Sequence, residues 1–441
     1  MPSPRAFAML LLLVAAARCQ SPSFEYSFPR TRTPLETRLN PTWRASNEFV
    51  QRLLGGQGSD PHAASVLRVR KNLQAVGEPR FPCNVSAALV RSDTPPTSVH
   101  RLRPGDVDLV AAMGDSLTAG NGAMALNVLQ VANENRGMSW SGGGQGTWRE
   151  YLTLPNILKE FNPNLYGYAL KDSRAFHRAS KFNVAEINSM TQDLPWQAGN
   201  LVKRMRSDPR VNLQQDWKVI TMLVGSNDFC SDMCYRRSPE SLPDQHRQDL
   251  KEALRILKKH LPRTLVNLVT QPDLSRILPA MKNTTPFCEL LRRVACSCLY
   301  GEPTRPMRGR MQAIIERYIQ VELEIGEDPE FQTDDFAVVV QPFTHKLHFP
   351  LKTENATDFT YMAPDCFHFS QRGYARAANA LWNNMMEPVG EKSMDWFNSF
   401  QRFLCPSEQH PYIYTKGNSA AGKDHQRSTG NAITSSEAAK A

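Results

Sequence analysis

Three short stretches of this chain carry side chains that together could hydrolyse an ester. Ser116 follows the largely apolar run 107–113, and a serine hydroxyl is a poor nucleophile unless a base stands beside it. His368 is the best candidate for that base, because Asp365 lies three residues earlier and could orient the imidazole ring. Asn227 follows another apolar run, and its amide could donate to a developing oxyanion. These residue types predict acyl transfer through a serine nucleophile.

The candidate residues follow strands of a predicted parallel sheet. Five runs rich in apolar and β-branched residues predict strands: VDLVAAM, KFNVAEI, WKVITMLV, TLVNLVT and DFAVVVQ. Helical patterns separate them, most clearly at 248–261, at about 306–325, and after an N-cap at Ser370. This alternation predicts an α/β fold in which helices cover both faces of a mainly parallel sheet. Because ligands bind beyond the carboxyl ends of such strands, the candidate residues should meet at one edge.

The predicted α/β domain spans about 106–390. Residues 20–105 form an N-terminal extension that we expect to pack on it, 391–405 close it, and the polar segment 406–441 is predicted to be disordered. An early arginine and an apolar run of about 12 residues predict a secretory signal peptide over 1–19, since a membrane span needs about 20. No later stretch is apolar enough to span a bilayer, so we expect a secreted, extracellular protein.

Cysteine and sequon positions agree with secretion. Removal of the signal peptide would leave eight cysteines, an even number that suits disulfides in an oxidising compartment better than a zinc site. They are Cys83, Cys230, Cys234, Cys288, Cys296, Cys298, Cys366 and Cys405. The sequence does not determine their pairing, although the short loop makes Cys230 and Cys234 the favoured local pair. The candidate N-glycosylation sites are Asn84, Asn283 and Asn355.

Charge and histidine content narrow the possible partners. The formal charge of +9 could favour contact with anionic surfaces such as acidic phospholipid, but it is spread along the chain and forms no concentrated basic patch. No basic motif is interleaved with aromatic residues, so we expect no nucleic-acid binding. His345 and His348 lack a carboxylate at similar spacing and a third metal ligand nearby. We therefore expect a surface position or a structural role for these two histidines, and no metal site.

The same residues, in the same order, resemble the GDSL lipase/esterase family of the SGNH hydrolase group. The similarity covers about 280 residues and includes GDSLTAGNG, VGSNDFC and DCFHFSQRGY. Within the family, the stretches TQPD and APDCFHFSQRGYARAANALWN look most like the animal phospholipase B branch. The resemblance implies a three-layer α/β/α fold and hydrolysis of carboxylic esters without a metal or an organic cofactor.

The resemblance also assigns roles to individual residues. Ser116 matches the nucleophile, Asp365 and His368 match the other triad members, and Asn227 matches the oxyanion-hole asparagine beside the Ser116 N–H. The family's second block ends with a glycine that completes this hole, and in FNVAEINSM the corresponding residue is Asn188. Its backbone N–H could still donate, because asparagine tolerates the left-handed backbone conformation better than most residues.

The implied activity is that of a secreted esterase acting on glycerophospholipids and lysophospholipids, with transient contact with a membrane or lipid-aggregate surface. A general carboxylesterase or a triacylglycerol lipase is the alternative enzyme. Asn188 is the residue that favours a third interpretation, a lipid-binding homologue with weakened catalysis.

Overall fold

A four-stranded parallel sheet forms the centre of the structure, a computed structural model that describes residues 58–75, 80–85 and 90–419. Its strands pair in the order β1-β2-β3-β4, each parallel to its neighbour. They are β1 Val107–Gly114, β2 Trp217–Leu223, β3 Thr264–Val269 and β4 Phe336–Gln341. A separate antiparallel pair consists of β5 Leu351–Thr353 and β6 Ala356–Thr357. The predicted signal peptide lies outside the described residues.

The prediction of a fifth regular strand, over 181–187, is wrong. The segment runs beside the free edge of β1, where Val184 N–H donates to Ala112 O (2.9 Å) and Glu186 N–H donates to Gly114 O (3.0 Å). A 3₁₀ turn precedes it and a β-turn follows it, so few residues remain for ladder bonds. Its apolar residues nevertheless lie where a fifth strand would.

Helices cover both faces of the sheet and confirm the three-layer α/β/α fold. They are α1 Pro61–Val69, α2 Ser116–Ala119, α3 Leu154–Phe161, α4 Leu194–Ser207, α5 Leu242–His260, α6 Leu274–Ile277, α7 Pro286–Ala295, α8 Ser297–Tyr300, α9 Arg308–Glu327 and α10 Gln371–Met385. One core contains residues of α4, α5 and α9, and the other contains residues of α3 and α10. Among the described helices, none is both long enough and apolar enough to cross a membrane.

Successive side chains of the central strands point into these two cores. Val219 and Leu265 pack with α3 and α10, while Ile220 and Val266 pack with α4, α5 and α9. All four are at most 1% exposed. Burying such a side chain contributes about 1.5–3 kcal/mol, so helices on both faces fix the sheet and the loops at its edge.

The segments flanking the domain pack on the first core. Val99 and Leu102, from the extension before β1, are completely buried in it. Residues 406–419 were predicted to be disordered, and the structure corrects this. Ile413 is also completely buried, and its N–H donates to Leu102 O (2.9 Å). Ile413 thus gains a buried site to which the folded extension contributes; residues 420–441 lie outside the described part.

The eight cysteines form four disulfides. They are Cys83–Cys405, Cys230–Cys296, Cys234–Cys298 and Cys288–Cys366. The favoured pair Cys230–Cys234 is therefore wrong. Helical turns run through 228–235, and residues four apart on a helix hold their Cβ atoms about 5–6 Å apart, beyond the about 3.8 Å of a disulfide. The three sequon asparagines are all exposed, and their glycosylation stays a prediction.

Candidate active site

Ser116 lies at the carboxyl edge of the sheet, as the first residue of α2. Gly114 ends β1 with φ +146°, and a Cβ atom at that position would lie 2.1 Å from Leu223 O. Only glycine fits this close approach. Asp115 then caps α2, because its side chain accepts the Leu117 N–H at 2.9 Å. The chain therefore turns sharply and places the Ser116 hydroxyl at the edge where ligands bind in such sheets.

His368 and Asp365 approach Ser116 from the loop before α10. The Ser116 Oγ lies 2.8 Å from His368 Nε2, and His368 Nδ1 lies 2.6 Å from Asp365 Oδ2. Asp365 Oδ1 also accepts the backbone N–H groups of Phe367 (3.1 Å) and His368 (3.0 Å). The disulfide at Cys366 ties the same loop to α7. The three predicted triad side chains are thus hydrogen-bonded in series, a geometry that can move a proton from serine to imidazole.

The two charged members of this series stabilise each other. Burial alone would raise the pKa of Asp365, but the His368 charge and the hydrogen bonds outweigh it, and the pKa is lowered. Burial would likewise lower the pKa of His368, but the Asp365 and Asp115 carboxylates outweigh it and raise the pKa above its ordinary value. Asp365 therefore stays ionised, and His368 is a stronger base than a free imidazole.

Asn227 stands across the same cleft, beyond the end of β2. It begins a π-helical turn over 228–232, a rare element that often occurs at functional sites. Its Nδ2 donates to Ser189 O at 2.9 Å, and it lines the cleft together with Ser116 and His368. An amide nitrogen carries two hydrogens, so the second is available to an oxyanion.

Asn188 occupies a β-turn that sequence alone did not reveal. Ser189 N–H donates to Glu186 O (3.2 Å), which makes Asn188 the third residue of the turn, and its φ is +61°. A type II turn needs positive φ at this position, which glycine and asparagine supply. The Asn188 side chain is exposed. The turn connects to the cleft through Ser189, whose carbonyl holds Asn227.

Comparison with known proteins identifies the family. The family model described as GDSL-like Lipase/Acylhydrolase matches residues 110–381, which include Ser116, Asn188, Asn227 and the Asp365–His368 pair. This chain belongs to the GDSL lipase/acylhydrolase family. It is therefore an ester hydrolase of the lipase type, and the resemblance found in its sequence is confirmed.

Curated relatives are long proteins of which this chain resembles one part. It is 40% identical over 338 residues to "Phospholipase B1, membrane-associated" of Homo sapiens, covering 74% of this chain and 22% of that one. It is 38% identical over 348 residues to the protein of the same name in Rattus norvegicus, covering 77% and 23%. The chain thus spans about a fifth of their length. A solved extracellular lipase from Streptomyces rimosus aligns at 15% identity over 63% of this chain and 98% of its own, with a TM-score of 0.31.

The cleft of this GDSL hydrolase is narrow and apolar. Its walls beside Ser116 are mostly aliphatic and aromatic, and its free volume is about 40 Å³. The apolar side chains include Leu274, Leu278, Met362 and Phe367. Such walls suit a hydrocarbon chain, because they offer it dispersion contacts and no competing hydrogen bonds.

Asp115 is a site residue that sequence reasoning left without a role. It is completely buried beside the triad, and burial raises its pKa to about 6 against the effects of Leu117 N–H and His368. Its Oδ2 has no hydrogen-bond partner within the described part of the chain. The sequence feature that could have pointed to Asp115 is its position directly before Ser116. A second carboxylate near His368 adds negative potential that favours the protonated imidazole.

Proposed function

We propose that this chain is a secreted serine esterase that hydrolyses the acyl esters of glycerophospholipids and lysophospholipids. The observation that carries the proposal is the hydrogen-bonded series from Asp365 through His368 to Ser116 beside an apolar cleft. Relatives named phospholipase B1 support the phospholipid class. Four disulfides support secretion, because disulfides persist in oxidising compartments.

The proposed mechanism is acyl transfer in two halves. His368 takes the proton of Ser116 as the serine oxygen attacks the ester carbonyl carbon. His368 then gives this proton to the alcohol oxygen as the ester bond breaks, and the acyl group stays on Ser116. In the second half His368 deprotonates a water molecule, which attacks the acyl-enzyme and releases the fatty acid. Asp365 keeps the imidazole in the required tautomer and stabilises its charged form.

The oxyanion of each tetrahedral intermediate needs hydrogen-bond donors that are already in place. We assign this role to the backbone N–H groups of Ser116 and Asn188 and to the side-chain amide of Asn227. The bond from Asn227 to Ser189 O supports this assignment, because it fixes the amide before substrate arrives. One such donor is worth about 2.7–4 kcal/mol in the transition state.

The narrow cleft favours a second candidate, a general carboxylesterase for short acyl groups. A free volume of about 40 Å³ is well below the about 300 Å³ at which small-molecule pockets usually begin. In this alternative the triad chemistry is the same, but long-chain lipids are poor substrates. Substrate comparison therefore separates the two candidates.

The deciding experiment compares the purified protein with its Ser116→Ala variant on three esters. Phosphatidylcholine, lysophosphatidylcholine and a short-chain aryl ester are each incubated with and without a chelator. We expect Ser116-dependent release of fatty acid from both phospholipids, unaffected by the chelator. Release from the aryl ester alone would support the carboxylesterase, and no Ser116-dependent release from any ester would support the lipid-binding homologue. Activity lost with the chelator would contradict the metal-free mechanism.

We also propose that α7 contacts the lipid surface. Phe287, Leu290 and Val294 follow one another at helical spacing and are 53%, 59% and 65% exposed. Large apolar side chains in a contiguous exposed row mark interaction surfaces. The Cys288–Cys366 disulfide joins this helix to the loop that carries the triad histidine. Contact of α7 with a lipid aggregate would therefore bring the cleft to the substrate.

Vesicle binding tests this contact. We expect Leu290→Ser to weaken binding to mixed phosphatidylcholine–phosphatidylserine vesicles and to leave hydrolysis of a dissolved aryl ester unchanged. The matched control is Val69→Ser, at an 82% exposed valine at the end of α1. Equal vesicle binding by wild type, Leu290→Ser and Val69→Ser would exclude α7 as the contact surface.

A further inference from the structure

A groove of about 540 Å³ lies directly beside the cleft over Ser116. It is formed by α6 and the residues after it, by α9, and by the segment 345–349 that follows β4. Ile277, Leu347 and Phe349 line both the groove and the cleft, so these three side chains form the wall between them. A volume of about 540 Å³ is typical of a small-molecule binding site.

The cleft and the groove differ in size and chemistry. The cleft holds about 40 Å³ and is almost entirely apolar, whereas the groove is more than ten times larger and carries charged side chains on its rim. A phospholipid has the same two parts, an apolar acyl chain and a charged phosphodiester headgroup. The ester carbonyl must lie at Ser116, so the headgroup must extend out of the cleft. The groove is a space next to the cleft whose lining is largely apolar but whose rim, with basic and acidic side chains, can accept a polar group.

The rim of the groove offers cations that lack protein partners. Lys346 and His345 are exposed, and neither side chain has a hydrogen-bond or ion-pair partner among residues 58–75, 80–85 and 90–419. Arg276, in contrast, is paired with Asp273 (3.1 Å) and with Glu316. The positive charge that remains available on this rim is therefore that of Lys346, and the imidazole of His345 beside it offers a hydrogen-bond donor. Both are suited to bind a phosphate.

His348 shows that not every basic group of this segment is available. Its Nδ1 lies 2.7 Å from Asp395 Oδ2, so the two side chains hold each other. The backbone N–H of Lys346 donates to Met394 O at 2.7 Å. These two bonds fix the segment 345–349 against the chain after α10. Lys346 and His345 are thus presented from an anchored segment, which lowers the entropy lost when they bind a ligand.

We propose that this groove binds the phosphate-bearing headgroup of the lipid substrate, with the phosphate held by Lys346 and His345. The proposal rests on the proposed phospholipid esterase function, because it assumes that the ester group is seated at Ser116. The first carbons of the acyl chain beside the ester then lie in the apolar cleft, and the headgroup crosses the wall at Leu347. The groove therefore determines the preference for phosphate-bearing over neutral glycerolipids.

Charge reversal at Lys346 tests this assignment. The substrates are lysophosphatidylcholine and the monoacylglycerol with the same short acyl chain, both below their micelle-forming concentrations. We expect Lys346→Glu to lower kcat/KM for lysophosphatidylcholine by about tenfold or more, the size of one lost hydrogen bond to a charged group. The value for monoacylglycerol should stay within about twofold. A short aryl ester, which does not reach the groove, should also be hydrolysed as before.

The matched control is Lys259→Glu, an exposed lysine in the last turn of α5. This turn precedes β3, so it lies at the edge of the sheet opposite the cleft. Lys259→Glu makes the same change in net charge and should not alter the preference. An equal loss in both lysine variants would show a long-range charge effect and would overturn the proposal. An equal loss on both lipids in Lys346→Glu would show that the groove holds part of the acyl chain, and would overturn it as well.

A binding measurement separates this proposal from the proposed function. Ser116→Ala and Ser116→Ala/Lys346→Glu are titrated with lysophosphatidylcholine, glycerophosphocholine and inorganic phosphate. We expect Lys346→Glu to weaken binding of both headgroup-containing molecules, even if the wild type shows no hydrolysis. Undiminished binding would refute the groove assignment whatever the activity. Inorganic phosphate that binds as tightly as glycerophosphocholine would show a simple anion site and would refute a headgroup site.

Discussion

The substitution Asp365→Asn tests the hydrogen-bonded series at its most informative bond. Asp365 Oδ2 accepts from His368 Nδ1 at 2.6 Å, while Oδ1 holds two backbone N–H groups. Asparagine can keep the two backbone bonds through its single oxygen, but it then turns its NH₂ group towards Nδ1. Two donors cannot share one hydrogen bond. The imidazole would therefore carry its proton on Nε2, facing Ser116.

The magnitude follows from this change of tautomer. An imidazole with its proton on Nε2 cannot accept the proton of Ser116, so the general base is lost. The same replacement in a Ser-His-Asp triad lowers kcat about 10⁴-fold, which is about 5 kcal/mol in the activation free energy. The fold should change little, because the two backbone hydrogen bonds of Asp365 remain. We expect thermal unfolding within a few degrees of the wild type.

The pH profile adds a readout that a purely structural role would not produce. Asp365 helps to hold the pKa of His368 above its ordinary value, and activity needs the neutral imidazole. Wild-type kcat/KM should therefore fall as the pH drops through this raised pKa. Removal of the Asp365 charge lowers the pKa of His368, so the residual activity of the variant should persist to lower pH.

The assay is hydrolysis of a soluble aryl ester by wild type and Asp365→Asn across about pH 4 to 9. A variant that keeps more than a tenth of the wild-type kcat, with its acidic limb unmoved, would refute the triad reasoning. A variant that has lost its cooperative unfolding transition would instead show that Asp365 is needed mainly for the loop.

Three further changes probe the surroundings of this series. Asn227→Ala removes one oxyanion donor and should lower kcat about 10²–10³-fold with little change in KM, measured by steady-state kinetics. Asp115→Asn keeps the cap of α2 but removes a carboxyl whose pKa burial raises from 3.8 to about 6. Between about pH 4 and pH 6 Asp115 keeps its proton in the folded state and releases it in the unfolded chain, so ionisation favours unfolding as the pH rises. Asp115→Asn removes this effect. The variant should therefore gain up to about 3 kcal/mol in unfolding free energy above about pH 6, and nothing below about pH 4. Serines at Cys288 and Cys366 open a cross-link between residues 78 apart. They should reduce stability by about 4.5 kcal/mol. They should also lower kcat, since Cys366 lies in the loop of the triad histidine. Calorimetry measures the loss of stability, and aryl-ester kinetics below the transition temperature measure the effect on kcat.

The meeting of the candidate residues could be predicted because it depends on one property of parallel sheets. Ser116 and Asn227 each follow a run with the composition of a buried strand, and the carboxyl ends of parallel strands lie at one edge. The position of His368 is harder to predict, because a long loop separates it from the end of β4. Its pairing with Asp365 could be predicted, because the two residues are only three positions apart in the sequence.

The features that sequence missed depend on contacts between distant segments. The Cys234–Cys298 and Cys230–Cys296 disulfides require α8 to lie against the helical turns after Asn227, which no local pattern reveals. Ile413 is buried because segments distant in sequence, among them the chain before β1, supply a site for it. The raised pKa of Asp115 likewise arises from the surroundings that bury it, whereas its sequence neighbours predict an ordinary helix cap.

Asn188 is the residue whose conformation bears most on the choice between an active esterase and a weakened lipid-binding homologue. From sequence alone, the Asn188 N–H could still donate to an oxyanion, but a side chain in place of the family's glycine left open a homologue with weakened catalysis. In the structure, the position requires positive φ, and Asn188 adopts it with φ +61° while its side chain is exposed. In an alanine at this position the left-handed conformation would cost about 1–2 kcal/mol. Glycine and asparagine adopt that conformation routinely, so most of this cost does not arise for them. The residue thus retains the backbone property for which glycine is used, and the observation that had favoured a weakened lipid-binding homologue loses most of its force.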